Sequence, residues 1–239
     1  MALVLVEPGD VTVVTLNRPE VLNALGTGLL EELERAFKAL EARAVVVAGA
    51  GTAFCSGADL KERAELSDDG WRAHHALLRR AFQAVRESPA PTVAAVEGFA
   101  VAGGFELALA CDLIVAANDA VLGLPEVTRG IMPGAGATRV LPPRLAKDLV
   151  LTGRRYDATE AWRDGLVARL VEPGQALAEG TALARQIAAN APMAVKAAKR
   201  AIDGRQPELG AYWAAVDTED RREGISSFVE RREPKFNGR

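Results

Sequence analysis

Short apolar segments alternate with amphipathic segments over the first half of this chain. The apolar segments have the composition of buried strands and are residues 11–16, 44–48, 92–96 and 113–117. Between them, apolar residues recur at helical spacing in residues 29–40 and 71–86, and a short helix is expected at 105–110. Strands that alternate with helices along a chain form an α/β fold. The pattern therefore predicts the α/β class.

The last third of the sequence differs, because strand signals become few and helix-forming residues dominate. Helices are expected at residues 182–189, 194–202, 208–216 and 220–231. We therefore divide the chain into an α/β core with the active site, residues 1–180, and a helical C-terminal region, residues 181–239. A chain of 239 residues with 49% hydrophobic residues can bury such a core without disulfides or a structural metal.

Charge and cysteine content narrow the class of protein. The formal net charge of −3 offers no basic surface of the kind that binds nucleic acid. Cys55 and Cys111 lie in apolar runs and are expected to be buried free thiols, as in a reducing compartment such as the cytoplasm. The longest apolar stretch, residues 92–117, is interrupted by acidic residues, and the N-terminal segment lacks the basic region of a signal peptide. Neither a membrane span nor a secretion signal is predicted.

A glycine-rich turn that leads into a helix is the first candidate functional segment. Residues 102–106 read Ala-Gly-Gly-Phe-Glu and follow an apolar strand segment. Glycines at a helix start let a ligand approach unpaired backbone N–H groups. Glu106 lies about one helical turn after Gly103, so its carboxylate and the Gly103 N–H can face one pocket. The alternative is a closely packed helix start in which Glu106 only complements the helix dipole.

The segment SGADLK, residues 56–61, is the second candidate, because it follows a buried strand. The N–H of Ala58 could join that of Gly103 to form an oxyanion hole. A helix N-cap at Ser56 or Asp59 explains the segment equally well.

Glu126 is the third candidate, since it follows Pro125 and precedes a glycine-rich loop at residues 130–136. One strand and its connections fill the gap between Glu106 and Glu126. Both carboxylates could therefore return to the same end of the sheet and act as an acid–base pair. The alternative for Glu126 is an exposed loop residue.

Together these segments resemble the enoyl-CoA hydratase/isomerase family, the crotonase superfamily. The matching motifs are FCSGADLK at 54–61, EGFAVAGGFELA at 97–108, ACD at 110–112, GLPEV at 123–127 and PGAGATR at 133–139. Shorter matches are LNRP at 16–19, LTG at 151–153 and DRREG at 220–224, followed by Phe228. The resemblance runs in order along essentially the whole chain. It implies a spiral core of repeated β-β-α units with a C-terminal helical region that forms trimers, often paired into hexamers.

The resemblance also implies an activity, the reversible addition of water to a 2-enoyl-CoA to give a 3-hydroxyacyl-CoA. The family's oxyanion-hole amides match Ala58 and Gly103, and its two catalytic glutamates match Glu106 and Glu126. In this scheme Glu106 activates the water and Glu126 supplies the proton to Cα. Such an enzyme serves fatty acid metabolism, as in β-oxidation.

The resemblance further implies where the coenzyme A part of the substrate binds. The matching residues in the core are Ser56, Ala58, Asp59, Leu60, Lys61 and Gly103. Phe228 and Arg231 match family residues that a neighbouring subunit contributes to the nucleotide end. No separate cofactor and no metal are expected, because coenzyme A is part of the substrate. The adjacent His74 and His75 cannot form an i, i+4 metal pair, and we expect them at the surface.

Several alternatives remain at the level of sequence. An isomerase of the family can work with one carboxylate at the position of Glu126, and residues 58–64 are also similar to hydratases of branched substrates such as methylglutaconyl-CoA. A non-catalytic acyl-CoA-binding protein is the alternative from another class.

The chain departs from the family pattern at Ala102, which replaces a common glycine, with little effect expected. The resemblance implies that residues 65–71 match the loop that shapes the acyl pocket and differs most between members, so the acyl group stays undefined.

Overall fold

The computed structural model describes residues 2–239, which form two sheets and a set of helices around them. The strands are β1 (Val4–Glu7), β2 (Val11–Leu16), β3 (Ala44–Gly49), β4 (Thr92–Val96), β5 (Phe99–Val101), β6 (Leu113–Ala117), β7 (Val121–Gly123), β8 (Arg155–Asp157) and β9 (Arg169–Val171). The helices are α1 (Thr27–Ala39), α2 (Leu60–Ala64), α3 (Asp68–Arg86), α4 (Gly103–Ala108), α5 (Ala137–Val140), α6 (Pro143–Thr152), α7 (Ala158–Arg163), α8 (Ala176–Ala188), α9 (Pro192–Ile202), α10 (Glu208–Val216) and α11 (Glu219–Glu230). Two 3-10 turns lie at Pro19–Val21 and Pro125–Arg129.

The main sheet has the strand order β1-β2-β3-β4-β6-β9. Only β1 pairs antiparallel, and the other neighbours are parallel. Every residue of β4 is buried, as expected for a central parallel strand with both faces covered. The short strands β5, β7 and β8 form a second sheet beside the carboxyl ends of the first.

The two faces of the main sheet are covered by different helices. In β3, Val45 and Val47 belong to the large core, which includes the apolar sides of α1 and α3. Val46 points to the other face and packs with Leu183 and Ala184 of α8. The alternation follows from the two-residue period of a strand.

The α/β class predicted from the sequence is confirmed, with one local correction. Residues 98–104 were expected to form a glycine-rich turn, but Phe99–Val101 is a strand that pairs in parallel with β7. A three-residue strand is too short to show a period, and the neighbouring glycines dominate the pattern. The units β4-β5-α4 and β6-β7-turn give the repeated β-β-α arrangement.

The helices of the last third occur close to where they were expected, and α8 contacts the sheet. The expected boundary at residue 180 lies inside α8, which packs on the main sheet. The helices that follow, from α9 onward, do not cover the sheet as α8 does. The C-terminal tail folds back, because the Asp220 carboxylate accepts hydrogen bonds from the N–H groups of Asn237 and Gly238. Within residues 2–239, no helix has the length and apolar character needed to cross a membrane.

Candidate active site

A cavity of about 160 Å³ lies where the segments after β3, β5 and β7 meet. Its lining consists of Ser56, Ala58, Leu60, Arg63, His75, Leu78, Val101, Ala102, Gly103, Glu106, Pro125, Glu126, Arg129, Ile131, Met132 and Gly134. All three candidate segments of the sequence therefore contribute to one pocket. This is the position in which parallel α/β sheets commonly bind ligands.

The backbone amides of Ala58 and Gly103 come together at the cavity wall. A Cβ placed on Gly103 would lie 3.7 Å from the Ala58 nitrogen, so the two backbone segments are in van der Waals contact. Neither N–H donates to an acceptor within residues 2–239. Two adjacent amides without partners are the arrangement that an oxyanion requires.

Close packing of two segments explains this geometry. Cys55 pairs with Ala100 in an isolated bridge, which draws the loop after β3 alongside β5. A Cβ on Gly57 would lie 2.9 Å from the Ala102 Cβ, and Gly57 has a φ of +92°. A Cβ on Gly104 would overlap the carbonyl oxygen of Cys55. Glycine is therefore required at both positions for the amides to approach each other.

Ala102 adopts a backbone conformation that suits glycine. Its φ of 52° and ψ of −127° lie outside the regions that L-residues normally occupy. The expectation that alanine does little harm here stays a prediction, because the conformation is unusual for an L-residue but Gly103 still lines the cavity. Ala102 makes the sharp turn into α4, and Gly103 is the first residue of that helix.

Glu106 is held in one orientation by the loop before α5. Its side chain is 4% exposed, and its Oε1 accepts hydrogen bonds from the N–H groups of Ala135 at 2.8 Å and Ala137 at 3.2 Å. The guanidinium of Arg86 donates to the carbonyl of Ala135 at 3.2 Å and holds that loop against α3. The other carboxylate oxygen, Oε2, has no protein donor in the described part of the chain. It is the oxygen that remains for a ligand.

Glu126 contrasts with Glu106, because it lacks such support. It is 7% exposed, and its Oε2 is buried without a hydrogen-bond partner in residues 2–239. The pKa of Glu126 is raised to about 7, mainly by burial and to a smaller extent by the nearby charge of Glu106, while a hydrogen bond from its own backbone and the charge of Arg63 act in the opposite direction. The two glutamates thus differ in environment, as an acid and a base in one site must.

Some of the residues expected to hold coenzyme A line the cavity, and others lie outside it. Ser56, Ala58, Leu60 and Gly103 line the cavity. Lys61 is exposed at the surface. Asp59 caps α2 by accepting from the N–H groups of Lys61 and Glu62, and its carboxylate also pairs with Arg18 at 3.0 Å. The N-cap interpretation of Asp59 therefore holds alongside any role in binding.

Phe228 and Arg231 do not line the cavity of this single chain. Phe228 is 84% exposed near the end of α11. Arg231 follows that helix with a φ of 56°, in the left-handed region. Their expected role depends on a second subunit and stays a prediction.

Two basic residues of the site were not identified from the sequence. Arg63 lies in α2 and is 7% exposed, and His75 contributes to the same wall. The expectation of surface histidines is wrong for His74, which is buried because α3 turns it inward, where its Nδ1 accepts from the Arg63 guanidinium at 3.3 Å. The charged segment LKERA gave no signal that one of its residues is buried.

Comparisons with known proteins agree with this geometry. The family model described as enoyl-CoA hydratase/isomerase matches residues 7–239. The chain is 41% identical to a putative enoyl-CoA hydratase/isomerase, YngF, from Bacillus subtilis, over 94% of this chain and 94% of that protein. It is 43% identical to the human mitochondrial enoyl-CoA hydratase domain-containing protein 2, over 96% of this chain and 86% of that protein.

A solved structure of an enoyl-CoA hydratase from Bacillus anthracis superposes with a TM-score of 0.94 at 40% identity, covering 99% of this chain and 100% of that chain. The crotonase-like fold expected from the motifs is thereby confirmed, as is an enzyme of the enoyl-CoA hydratase type. The family model spans almost the entire chain, and the relatives match along the same length. The chain belongs to the enoyl-CoA hydratase/isomerase family.

Proposed function

We propose that this protein hydrates 2-enoyl-CoA thioesters to 3-hydroxyacyl-CoA, with Glu106 and Glu126 as its acid–base pair. The observation that carries the proposal is the convergence of two buried carboxylates and two unpaired amides on one cavity. No other feature of the described residues brings comparable chemistry together.

The two amides act on the thioester carbonyl. As water adds at Cβ, negative charge develops on the carbonyl oxygen, which then accepts hydrogen bonds from the N–H groups of Ala58 and Gly103. Because these donors are already in place, their hydrogen bonds become stronger as the negative charge develops in the transition state. Each can lower the barrier by about 3–4 kcal/mol.

Glu106 and Glu126 divide the proton transfers. The free Oε2 of Glu106 removes a proton from the water as its oxygen bonds to Cβ. Glu126 donates its proton to Cα, so that one water is added in total, and the proton that Glu106 has gained passes to Glu126 before the next turnover. Burial of Glu126 supports this role, because a carboxyl with a pKa of about 7 still carries its proton in much of the population at neutral pH. The kcat/KM for hydration should therefore fall as the pH rises through about 7.

The decisive experiment follows the loss of enoyl absorbance with crotonyl-CoA in wild type, Glu106→Gln and Glu126→Gln. Each glutamine keeps the size of the side chain but cannot transfer the proton, so turnover should fall by about 10²- to 10⁴-fold. Calorimetric titration with a saturated acyl-CoA should give nearly unchanged affinity. Normal turnover in either variant would refute the acid–base assignment. A wild type that binds but hydrates no enoyl-CoA would favour the non-catalytic binding protein.

An isomerase that moves the enoyl double bond is the second candidate. The partnerless Oε2 and raised pKa of Glu126 suit a single group that removes a proton and returns it elsewhere. Supplying a 3-enoyl-CoA separates the two activities, because isomerisation then needs no water activation. Retention of this reaction in Glu106→Gln, together with loss of hydration, would show that the site carries both.

We also propose a trimer or hexamer, a cytoplasmic location and a role in fatty acid β-oxidation. The apolar side chains exposed on the C-terminal helices support self-association, and the two buried free cysteines support a reducing compartment.

A further inference from the structure

The LNRP motif at residues 16–19 has no part in the acid–base mechanism, although the structure places its arginine close to one of the two amides. Arg18 does not line the cavity, and its side chain is 22% exposed. Its own backbone is fixed by the buried Asn23, whose Oδ1 accepts from the Arg18 N–H at 2.9 Å. The Asn23 amide group also donates to two backbone carbonyls of the loop after β3. Arg18 is therefore anchored to the loop that leads from β3 to Ala58.

The direction of the Ala58 N–H is set by a strand-like pairing with residues 24–26. The Leu25 N–H donates to the Gly57 carbonyl at 2.8 Å, and the Asp59 N–H donates back to the Leu25 carbonyl at 3.2 Å. The Gly57 carbonyl and the Ala58 N–H belong to one peptide group, and they point in opposite directions because that group is planar and trans. A Gly57 carbonyl that is fixed towards Leu25 therefore turns the Ala58 N–H away from Leu25.

One guanidinium holds the two paired segments together. The Nη1 of Arg18 donates to the Ala24 carbonyl at 2.8 Å and to the Oδ2 of Asp59 at 3.0 Å. The other carboxylate oxygen of Asp59, Oδ1, accepts from backbone N–H groups at the start of α2. Ala24 directly precedes Leu25 in the first segment. Asp59 directly follows Ala58 in the second, so the guanidinium bridges both segments beside the amide.

Glycine at position 26 makes room for this contact. A Cβ on Gly26 would lie 3.0 Å from the Arg18 Nη1 and 2.5 Å from the Glu62 Oε2. The Glu62 carboxylate accepts from the Thr27 N–H at 3.1 Å, at the start of α1. The Asp59 side chain is only 14% exposed. A charge-assisted hydrogen bond with this little exposure holds its geometry better than a pair on the open surface.

We propose that Arg18 is a positioning residue of the oxyanion hole, because it holds residues 24–26 and Asp59 in the register that directs the Ala58 N–H at the thioester carbonyl. The inference rests on the proposed hydration, in which that carbonyl accepts from Ala58 and Gly103. Arg18 acts on the transition state more than on substrate binding, since the charge on the carbonyl oxygen grows as water adds. Its loss should therefore lower kcat and leave KM nearly unchanged.

Steady-state hydration of crotonyl-CoA gives the first readout. Arg18→Met removes both hydrogen bonds and should lower kcat by about 10- to 100-fold, which is part of what the loss of an oxyanion donor costs. The KM should stay within about 3-fold of wild type, because Arg18 lies outside the cavity wall. Arg18→Lys keeps the charge, but its shorter chain reaches the two acceptors less well, so its kcat should be intermediate.

Arg43→Met is the matched control for the loss of a bridging guanidinium. Arg43 is half-buried and also joins two segments, because it donates to the carbonyls of Ala188 and Phe236. It precedes β3, whereas the cavity lies after the carboxyl end of that strand. Arg43→Met should lower the Tm, as the removal of any such bridge does, but its kcat should stay within about 2-fold of wild type.

The infrared carbonyl band of bound butyryl-CoA gives a readout that does not depend on turnover. Butyryl-CoA is saturated and cannot be hydrated, and an isotopic label at its thioester carbon separates its band from those of the protein. In wild type, hydrogen bonds from both amides should displace the band to lower frequency relative to the free ligand. Arg18→Met should lose about half of this displacement, because one of the two donors is misdirected, while Arg43→Met should keep it.

Asp59→Asn is a second and milder variant, which keeps the test decisive if Arg18→Met does not fold. Its Oδ1 can still accept from the first N–H groups of α2, while its NH2 group faces the guanidinium and cannot accept from it. The carbonyl band of bound butyryl-CoA should shift as in Arg18→Met. The double variant should shift no further, because both changes break the same contact.

The proposal is overturned if Arg18→Met and Asp59→Asn keep the wild-type band, or if Arg43→Met loses as much of the displacement as they do. A rise in KM without a fall in kcat in Arg18→Met would also overturn it. A wild type that hydrates no enoyl-CoA refutes the proposed function, but the band of bound butyryl-CoA still decides the role of Arg18. A displacement that is lost in Arg18→Met supports that role, and a wild type without any displacement contradicts it.

Discussion

Ala102 adopts a backbone conformation that is unusual for a residue with a side chain. A φ of 52° with a ψ of −127° brings the Cβ into steric conflict that glycine avoids. The surrounding structure tolerates this strain at the point where the chain turns into α4 and presents the Gly103 N–H.

Replacement of Ala102 by glycine should therefore stabilise the fold. We expect a gain of about 1 kcal/mol in the free energy of unfolding, because the relieved strain exceeds the entropy that glycine adds to the unfolded chain. Urea denaturation of Ala102→Gly and wild type measures the change. Ala100→Gly, in the regular strand β5, is the control and should be destabilising. A loss of stability in Ala102→Gly would show that the conformation carries no strain.

The pKa of Glu126 gives a second prediction, for stability against pH. The pKa is about 7 in the folded protein against an ordinary value of 4.5, so the unfolded chain ionises first as the pH rises. Stability contributed by the protonated carboxyl is complete below pH 4.5 and is lost as the pH rises through 7. Glu126→Gln cannot ionise and lacks this loss. The Tm of Glu126→Gln minus that of wild type should therefore increase between pH 4.5 and 8. The corresponding change in the free energy of unfolding is at most about 3 kcal/mol. A constant difference would contradict the raised pKa.

Site residues could be predicted from the sequence where their spacing along one helix places them on the same side. Site residues whose position depends on packing against another helix could not be predicted. Glu106 follows Gly103 by one helical turn, so their shared cavity could be anticipated. Arg63 could not be, because its burial depends on Trp71 and His74 of another helix. At Ala102 the resemblance shows that a common glycine is replaced, but the positive φ of this residue is visible only in the structure.

Among the elements, the loop before α5 and helix α3 act as one support for Glu106. The loop supplies two N–H donors, and Arg86 at the end of α3 binds the carbonyl of Ala135. The orientation of the base thus depends on a helix that carries neither of the catalytic carboxylates.

Arg86→Met should therefore lower kcat for crotonyl-CoA by about 10-fold, because misplacement of a catalytic group by less than 1 Å is costly. The KM should change less, since Arg86 does not line the cavity. Steady-state kinetics on Arg86→Met and on Arg79→Met, an exposed arginine of the same helix, separate the two effects. An equal fall in both variants, or a change confined to KM, would contradict the role of Arg86.

Elements with enough residues to show a period were predicted well. Strands β2, β4 and β6 occur at the residues expected, because each contains five or six residues of strongly apolar or β-branched character. The second sheet consists of three-residue strands, which show no period and depend on pairing across the chain. Their register is set by contacts that no local pattern contains.

In the whole molecule, the C-terminal helices leave apolar side chains exposed at a density unusual for a monomer. Leu209, Tyr212 and Trp213 lie on α10, and Phe228 and Val229 lie on α11. A patch of this kind indicates association with another protein surface. The proposed trimer or hexamer is consistent with this patch, and Phe228 and Arg231 lie outside the cavity of one chain.

Trp213→Glu should convert the proposed trimer or hexamer into smaller species, because a charge buried in an apolar interface is unfavourable. Sedimentation velocity over a range of concentrations gives the masses. Trp162→Glu on α7 is the matched control, with a tryptophan of similar exposure outside the C-terminal helices. A monomeric wild type, or equal dissociation in both variants, would refute assembly through this region.

The parallel pairing of β3, β4 and β6 has a kinetic consequence. Their partners are far apart in the chain, as in the register of Val45 with Thr92 and of Val93 with Leu113. Ala58, Gly103 and Glu126 follow these strands and cannot meet before the strands have docked. Refolding from denaturant should thus be slow, as non-local topologies are, and helical signal should return before the first turnover is detectable.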